Sequence, residues 1–127
     1  MGGNVCSDVN FFQQSFESLA VKTRVSTMDG SKGVKGTVLD LWETENKKEE
    51  DFLSTLDFLY TCGPTPMLKA VQKMAANNNL AGEVSLEERM GCGIGVCLSC
   101  VCQTNEGNQR VCQEGPVFSL EEVIFDD

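Results

Sequence analysis

The chain has 127 residues, 41% of them hydrophobic and 23% charged, with a net charge of −9 and no histidine. That length fits one globular domain with at most a small appendage. The acidic balance argues against a nucleic-acid surface, no run of about 18 apolar residues offers a membrane span, and the missing histidine removes Ser-His and Cys-His catalysis together with histidine-ligated metals.

In chain order, residues 1–7 show no periodicity. Asp8 is placed to cap a helix whose Val9, Phe12, Phe16 and Leu19 form one apolar stripe, of the kind that lines a core. The next segment alternates, with Val21, Thr23, Val25 and Thr27 on one face of a short strand. Asp29, Gly30 and Gly33 then make a turn or loop. A second helix is expected from Gly36, carrying Val38, Leu39, Leu41 and Trp42, and fading into the charged run that starts at Thr44.

Thr55 to Thr61 is largely apolar and predicts a buried strand, closed by Cys62, Gly63 and Pro64. Thr65 is expected as N-cap with Pro66 in the first helical position, opening a helix to about Ala76. Met67, Val71 and Met74 share its face, and Asn77, Asn78 and Asn79 end it. Gly82 to Glu87 reads as another short strand, and the residues after Cys112 as a turn and a short extended tail. The alternation of helix and strand up to Leu86 argues for a parallel sheet with helices on its faces. Ligands of such sheets gather at the carboxyl ends of the strands. Cys62, Gly63 and Pro64 lie at such an end, before a helix N-terminus that could receive an anionic group; a plain strand-to-helix turn accounts for the same residues equally well. No G-x-G-x-x-G follows a strand, and a first β-α unit of a dinucleotide fold is not apparent.

Five of the seven cysteines fall between Glu88 and Cys112. Cys92, Cys97 and Cys100 are spaced C-x4-C-x2-C, with Cys112 further on, which is the plant-type ligand spacing of a [2Fe-2S] cluster. Two sulfide-bridged irons need four thiolates converging from several directions. Gly91, Gly93 and Gly95 let the loop approach closely and turn its amide N–H groups toward sulfur. Cys112 is expected on a neighbouring strand, after a turn at Asn105 to Asn108. A four-cysteine zinc site remains an alternative, although zinc ribbons usually show two C-x2-C knuckles and only one is present. A disulfide framework would want an oxidising compartment and an even cysteine count. With no apolar signal segment, the cysteine usage reads as that of a reducing cytoplasm.

Four stretches carry a family resemblance: D-G-S-K-G-V-K-G from Asp29, Y-T-C-G-P-T-P-M-L-K-A-V from Tyr60, S-L-E-E-R-M-G-C-G-I-G-V-C-L-S-C-V-C from Ser85, and V-C-Q-E-G-P-V-F from Val111. From about Asp8 onward the chain resembles the C-terminal part of the electron-transfer subunit of NAD-dependent dihydroorotate dehydrogenases, without the FAD-binding barrel of that family. The resemblance implies an α/β fold, with residues 1–84 an incomplete, ferredoxin-reductase-like NAD-binding half-domain and residues 85–127 a [2Fe-2S] module. It implies Cys92, Cys97, Cys100 and Cys112 as cluster ligands, Cys102 as a non-ligand, and Cys62, Gly63 and Pro64 near the nicotinamide side of an NAD site. It further implies FAD and NAD as cofactors of the whole system, and an FMN-containing catalytic subunit as partner in a heterotetramer-like assembly. A free-standing ferredoxin-like carrier and a zinc-binding interaction module are the other expectations. Cys6 has no assigned role.

Overall fold

The computed structural model describes residues 2–4, 13–48 and 55–125, and the chain forms two compact units, 1–55 and 56–127. The expected helix stripe begins outside the described residues, as do Asp8, Val9, Phe12 and Cys6.

Unit 1 contains β1 (Gly2–Asn4), α1 (Gln13–Ser18), β2 (Val25–Thr27), β3 (Val34–Lys35) and α2 (Val38–Lys48). Its three strands form one parallel sheet in the order β1-β2-β3. Two of those strands were not expected. β1 falls in the aperiodic start, and β3 falls inside the predicted Asp29–Gly36 loop. A strand does therefore precede α1, which corrects the reading that no first strand is present. Both are three residues or fewer, too short for period-two patterning to register. The Val21–Thr27 strand shrinks to Val25–Thr27, and Val21 is exposed. Phe16 and Leu19 are exposed as well, so the described part of the stripe does not line a core.

Thr27 holds the loop before β3: its hydroxyl donates to Lys32 O (2.9 Å) and accepts the Lys32 N–H (3.1 Å). Gly33 has φ +70, and a Cβ there would lie 1.9 Å from Val25 O, so only glycine fits against β2. α2 starts two residues later than Gly36 because Thr37 and Asp40 form a reciprocal cap. The Thr37 N–H donates to Asp40 Oδ2 (2.6 Å) and the Asp40 N–H to Thr37 Oγ1 (3.3 Å). Leu41 and Trp42 are buried as expected, and so is Glu45, which pairs with Arg24 (2.9 Å) and Lys48 (3.0 Å). Those cations, Lys48 first, hold its carboxyl below the usual range.

Ser26, in the central strand, is fully buried, and its hydroxyl finds no hydrogen-bond partner among the described residues. Ser26→Ala removes that desolvated hydroxyl and is expected to raise the stability of the chain by about 1 kcal/mol. Thermal unfolding checks it, and a fall in Tm would refute it.

Unit 2 contains β4 (Leu59–Cys62), α3 (Thr65–Asn77), β5 (Gly82–Ser85), β6 (Val101–Thr104), β7 (Gly107–Arg110) and β8 (Val117–Ser119). β4 and β5 pair in parallel, and β8 adds antiparallel to β5. β6 and β7 form a hairpin of their own. The strand expected over Thr55–Thr61 is displaced to Leu59–Cys62 and is not buried. It is the edge of its sheet, and Tyr60 is 75% exposed with its ring 5.0 Å from that of Phe58. An apolar run cannot tell a central strand from an edge strand covered on one face only.

α3 has Pro64, not Thr65, at its N-cap: the Pro64 carbonyl accepts from Met67 N (2.9 Å) and Leu68 N (3.1 Å). The three asparagines end it, Asn78 at the C-cap and Asn79 at φ +51. Leu68, Val71 and Ala75 are buried on α3. Leu68 and Ala75 join Val84, Leu86, Val111, Phe118, Leu120 and Val123 in one core. Gln72 ties the C-terminal tail to α3 by donating to the carbonyls of Leu120 and Val123. The tail thus completes the sheet, whereas the sequence suggested only an extended end. The expected division at residues 84 and 85 falls within β5.

Candidate metal centre

The cysteines occupy the segment that leaves the carboxyl end of β5 and returns through the β6–β7 hairpin. Cys62 sits at the matching end of β4, opposite Ser85, so the chain starts toward the cysteine loop beside the Cys62-Gly63-Pro64 turn. Cys62 is exposed, and Gly63 has φ +148.

The loop over residues 91–97 wraps around Cys92. The Ile94 N–H donates to Cys92 Sγ (3.5 Å), and backbone N–H groups of Cys97 and Val96 point at the same sulfur. These donors, Ile94 foremost, stabilise the thiolate and bring its pKa down to about 6. The Cys97 thiol lowers it in the same sense. A Cβ at Gly91 would come within 3.1 Å of Cys97 Sγ, so the close approach requires glycine. Ser99 Oγ donates to Arg89 O (2.9 Å) and draws the ends of the loop together.

The second pair lies at the open end of the hairpin. Its ladder continues past Val101 and Arg110 through Val111 N–H to Cys100 O (2.9 Å), which brings Cys112 beside Cys100. Cys112 lies in the turn just after β7, not on a strand, and the connecting turn is Asn105–Glu106 alone, with Gly107 already in β7. Cys100, as acceptor toward the Cys112 thiol, favours its protonated form and, with burial, raises its pKa, while the Gly95 N–H acts in the opposite sense. Cys112 also feels the charge of Cys92.

Cys102 points into the core from β6, and burial raises its pKa. In metal-free protein, iodoacetamide is therefore expected to label Cys92 with a rate that rises through pH 6 and levels off by pH 7, while Cys102 stays unlabelled. Peptide mapping across pH 5–8 checks this, and a Cys92 midpoint near that of an ordinary thiol, about 8.5, would count against it.

Three features around the cysteines went unread in the sequence. Met90, Ile94, Val96 and Leu98 are exposed, the last three by 69%, 72% and 65%. Arg110 reaches from the hairpin to Gly95 O (2.8 Å), and Glu114 binds Arg110. The only sequence signal for that pair is its four-residue spacing across Cys112.

By class, the fold and site define an α/β chain carrying an iron–sulfur cluster binding domain. Residues 87–124 match the family model of the iron-sulfur cluster binding domain of dihydroorotate dehydrogenase B. Over 98% of its length the chain superposes with a TM-score of 0.79 and 28% identity on 43% of a chain of NADH-dependent reduced ferredoxin-NADP oxidoreductase. More particularly, the chain is a homologue of the electron transfer subunit of dihydroorotate dehydrogenase B (NAD(+)). It is 42% identical to that of Caldanaerobacter subterraneus subsp. tengcongensis, over 91% of this chain and 45% of the relative. It is 42% identical to that of Bacillus velezensis, over 98% of this chain and 46% of the relative. The chain thus spans a little under half the length of these relatives. No helix among the described residues is long and apolar enough to cross a membrane.

Proposed function

We propose that residues 85–127 bind a [2Fe-2S] cluster through Cys92, Cys97, Cys100 and Cys112, and that the chain passes single electrons in dihydroorotate oxidation for pyrimidine biosynthesis. The observation that carries this is the plant-type spacing of the four cysteines on a loop that donates the Ile94 N–H to Cys92 Sγ (3.5 Å) and a hairpin whose Val111 N–H to Cys100 O bond (2.9 Å) sets Cys112 beside Cys100. Two irons bridged by sulfide take two thiolates each, whereas one zinc would draw four sulfurs around a single point. The donor set fits a cluster further in its loop amides, which stand ready for the negative charge that sulfur ligands carry.

When bound, the cluster supplies one-electron storage. The residues of this chain hold it, donate hydrogen bonds to it and exclude water from Cys100, which is 2% exposed. The exposed side chains of Met90, Ile94, Val96 and Leu98 surround the loop with apolar surface of the kind that marks a docking site. The occupant is the FMN-containing catalytic subunit of a heterotetramer-like assembly, where the acid–base chemistry on dihydroorotate takes place. Residues 1–84 belong to an NAD-binding α/β half-domain, with Cys62, Gly63 and Pro64 on the nicotinamide side. FAD is bound by the wider system. The cytoplasm, which keeps thiols reduced, is its compartment.

Anaerobic reconstitution with iron and sulfide tests the core of this reading. Two irons and two sulfides per chain and one EPR centre on reduction are expected; a colourless protein holding one zinc would overturn it. Recovery of a flavin-containing subunit on co-purification supports the partner, and its persistent absence favours a free-standing carrier.

A further inference from the structure

Arg110 ends β7 two residues before Cys112, and its guanidinium bridges the hairpin and the cysteine loop. Nη1 donates to Gly95 O (2.8 Å). Nε donates to both carboxylate oxygens of Glu114 (3.1 Å each), Nη2 pairs with Glu114 Oε1, and Glu114 Oε2 accepts the Arg110 backbone N–H (2.6 Å). A planar guanidinium gripped along one edge by a carboxylate has its remaining donors fixed in direction. Here the fixed direction is the Gly95 carbonyl.

Gly95 lies between Cys92 and Cys97 with φ +80, and a Cβ there would crowd Arg110 Nη1 and Gln113 Oε1 at 3.2 Å. The residue before it, Ile94, donates its N–H to Cys92 Sγ (3.5 Å). The loop peptide next to that donor is thus tied to the hairpin through Arg110. We propose that Arg110, held by Glu114, is a positioning residue that pins Gly95, and with it the Ile94 N–H on the Cys92 sulfur, and thereby raises the reduction potential of the bound cluster. Hydrogen bonds to sulfur favour the more negative, reduced state. An exposed ion pair is ordinarily worth little, and Glu114 cancels the charge of Arg110 nearby, so the effect runs through the hydrogen bond rather than through net charge.

The inference rests on the cluster reading above, and the experiment separates the two. If the wild-type chain takes up no iron and sulfide, the cluster reading fails. If it does, EPR-monitored redox titration compares it with Arg110→Gln and Glu114→Ala. Both are expected to disfavour reduction about tenfold, which is about 59 mV for a one-electron couple. The signs discriminate: Glu114→Ala leaves an uncompensated cation, so a purely electrostatic role would raise the potential. A rise, or no shift in either variant, overturns the proposal. Arg110→Lys keeps the charge without the fork and is expected to recover less than half of the shift; full recovery also overturns it. In metal-free protein, amide hydrogen exchange at Ile94 should quicken in both variants. Unchanged exchange overturns the clamp even where Arg110→Gln fails to load.

Discussion

Cys100→Ser is expected to abolish the visible absorption and EPR signal of the reconstituted chain, whereas Cys102→Ser leaves both nearly intact. The two residues are close in sequence and both are buried, at 2% and 9% exposure, so burial does not separate them. Their partners do. Cys100 is held beside Cys112 by the Val111 N–H to Cys100 O closure of the hairpin, and it raises the pKa of Cys112. Cys102 faces Leu68, Val84 and Phe118 in the core, and burial keeps it protonated. Serine at 100 offers an alkoxide precursor where a thiolate is required, and the Cys100–Cys112 pair is broken. Serine at 102 buries a hydroxyl at a cost of about 1–3 kcal/mol of stability without touching the ligand set. Iron and sulfide per chain, measured with far-UV circular dichroism to confirm folding, decide the matter. A folded Cys102→Ser chain without a cluster would refute the ligand assignment.

The elements legible in the sequence were those written in local chemistry. The asparagine stop of α3, the strand-turn-helix at Cys62, the hairpin turn (expected over Asn105–Asn108 and found at Asn105–Glu106) and the glycine loop around Cys92 each depend on residues within one turn of each other. The short strands were not legible, because β1 and β3 take their pairing from β2 and carry no pattern of their own. Nor was β8, whose Phe118 meets Val84 across more than thirty positions. The cysteine spacing marked four candidate ligands, but not that the hairpin would set Cys112 beside Cys100 or that the Ile94 N–H would turn onto Cys92. Those are tertiary facts. The T-x-x-D cap at Thr37 and Asp40 was readable and would have placed the start of α2 correctly.

Phe118→Ala is expected to destabilise unit 2 by about 3–5 kcal/mol. Its ring is 4% exposed and fills the space under Gly115, where an added Cβ would lie 2.4 Å from Phe118 Cε2, too close for the cavity to collapse onto backbone freely. Unit 2 spans residues 56–127, and at about 0.05–0.15 kcal/mol per residue a unit of that size holds only about 4–11 kcal/mol in all. The loss is therefore a large share of the whole, and a fall in Tm of roughly 12 °C or more follows. The consequence for the site is specific. β8 pairs with β5 through Ser85 and Val117, and the Leu86 N–H donates to Pro116 O (2.9 Å), so the root of the cysteine loop and the turn after Cys112 are joined at this strand. Loosening it frees Cys112 relative to the loop, and the cluster should be lost to chelator faster than from wild type. Val117→Thr is the control: its side chain, 49% exposed, lies on the opposite face of the same strand, and the change should stay within about 0.5 kcal/mol. Equal Tm values for Phe118→Ala and wild type, or equal chelation rates, would show that β8 does not hold the site together.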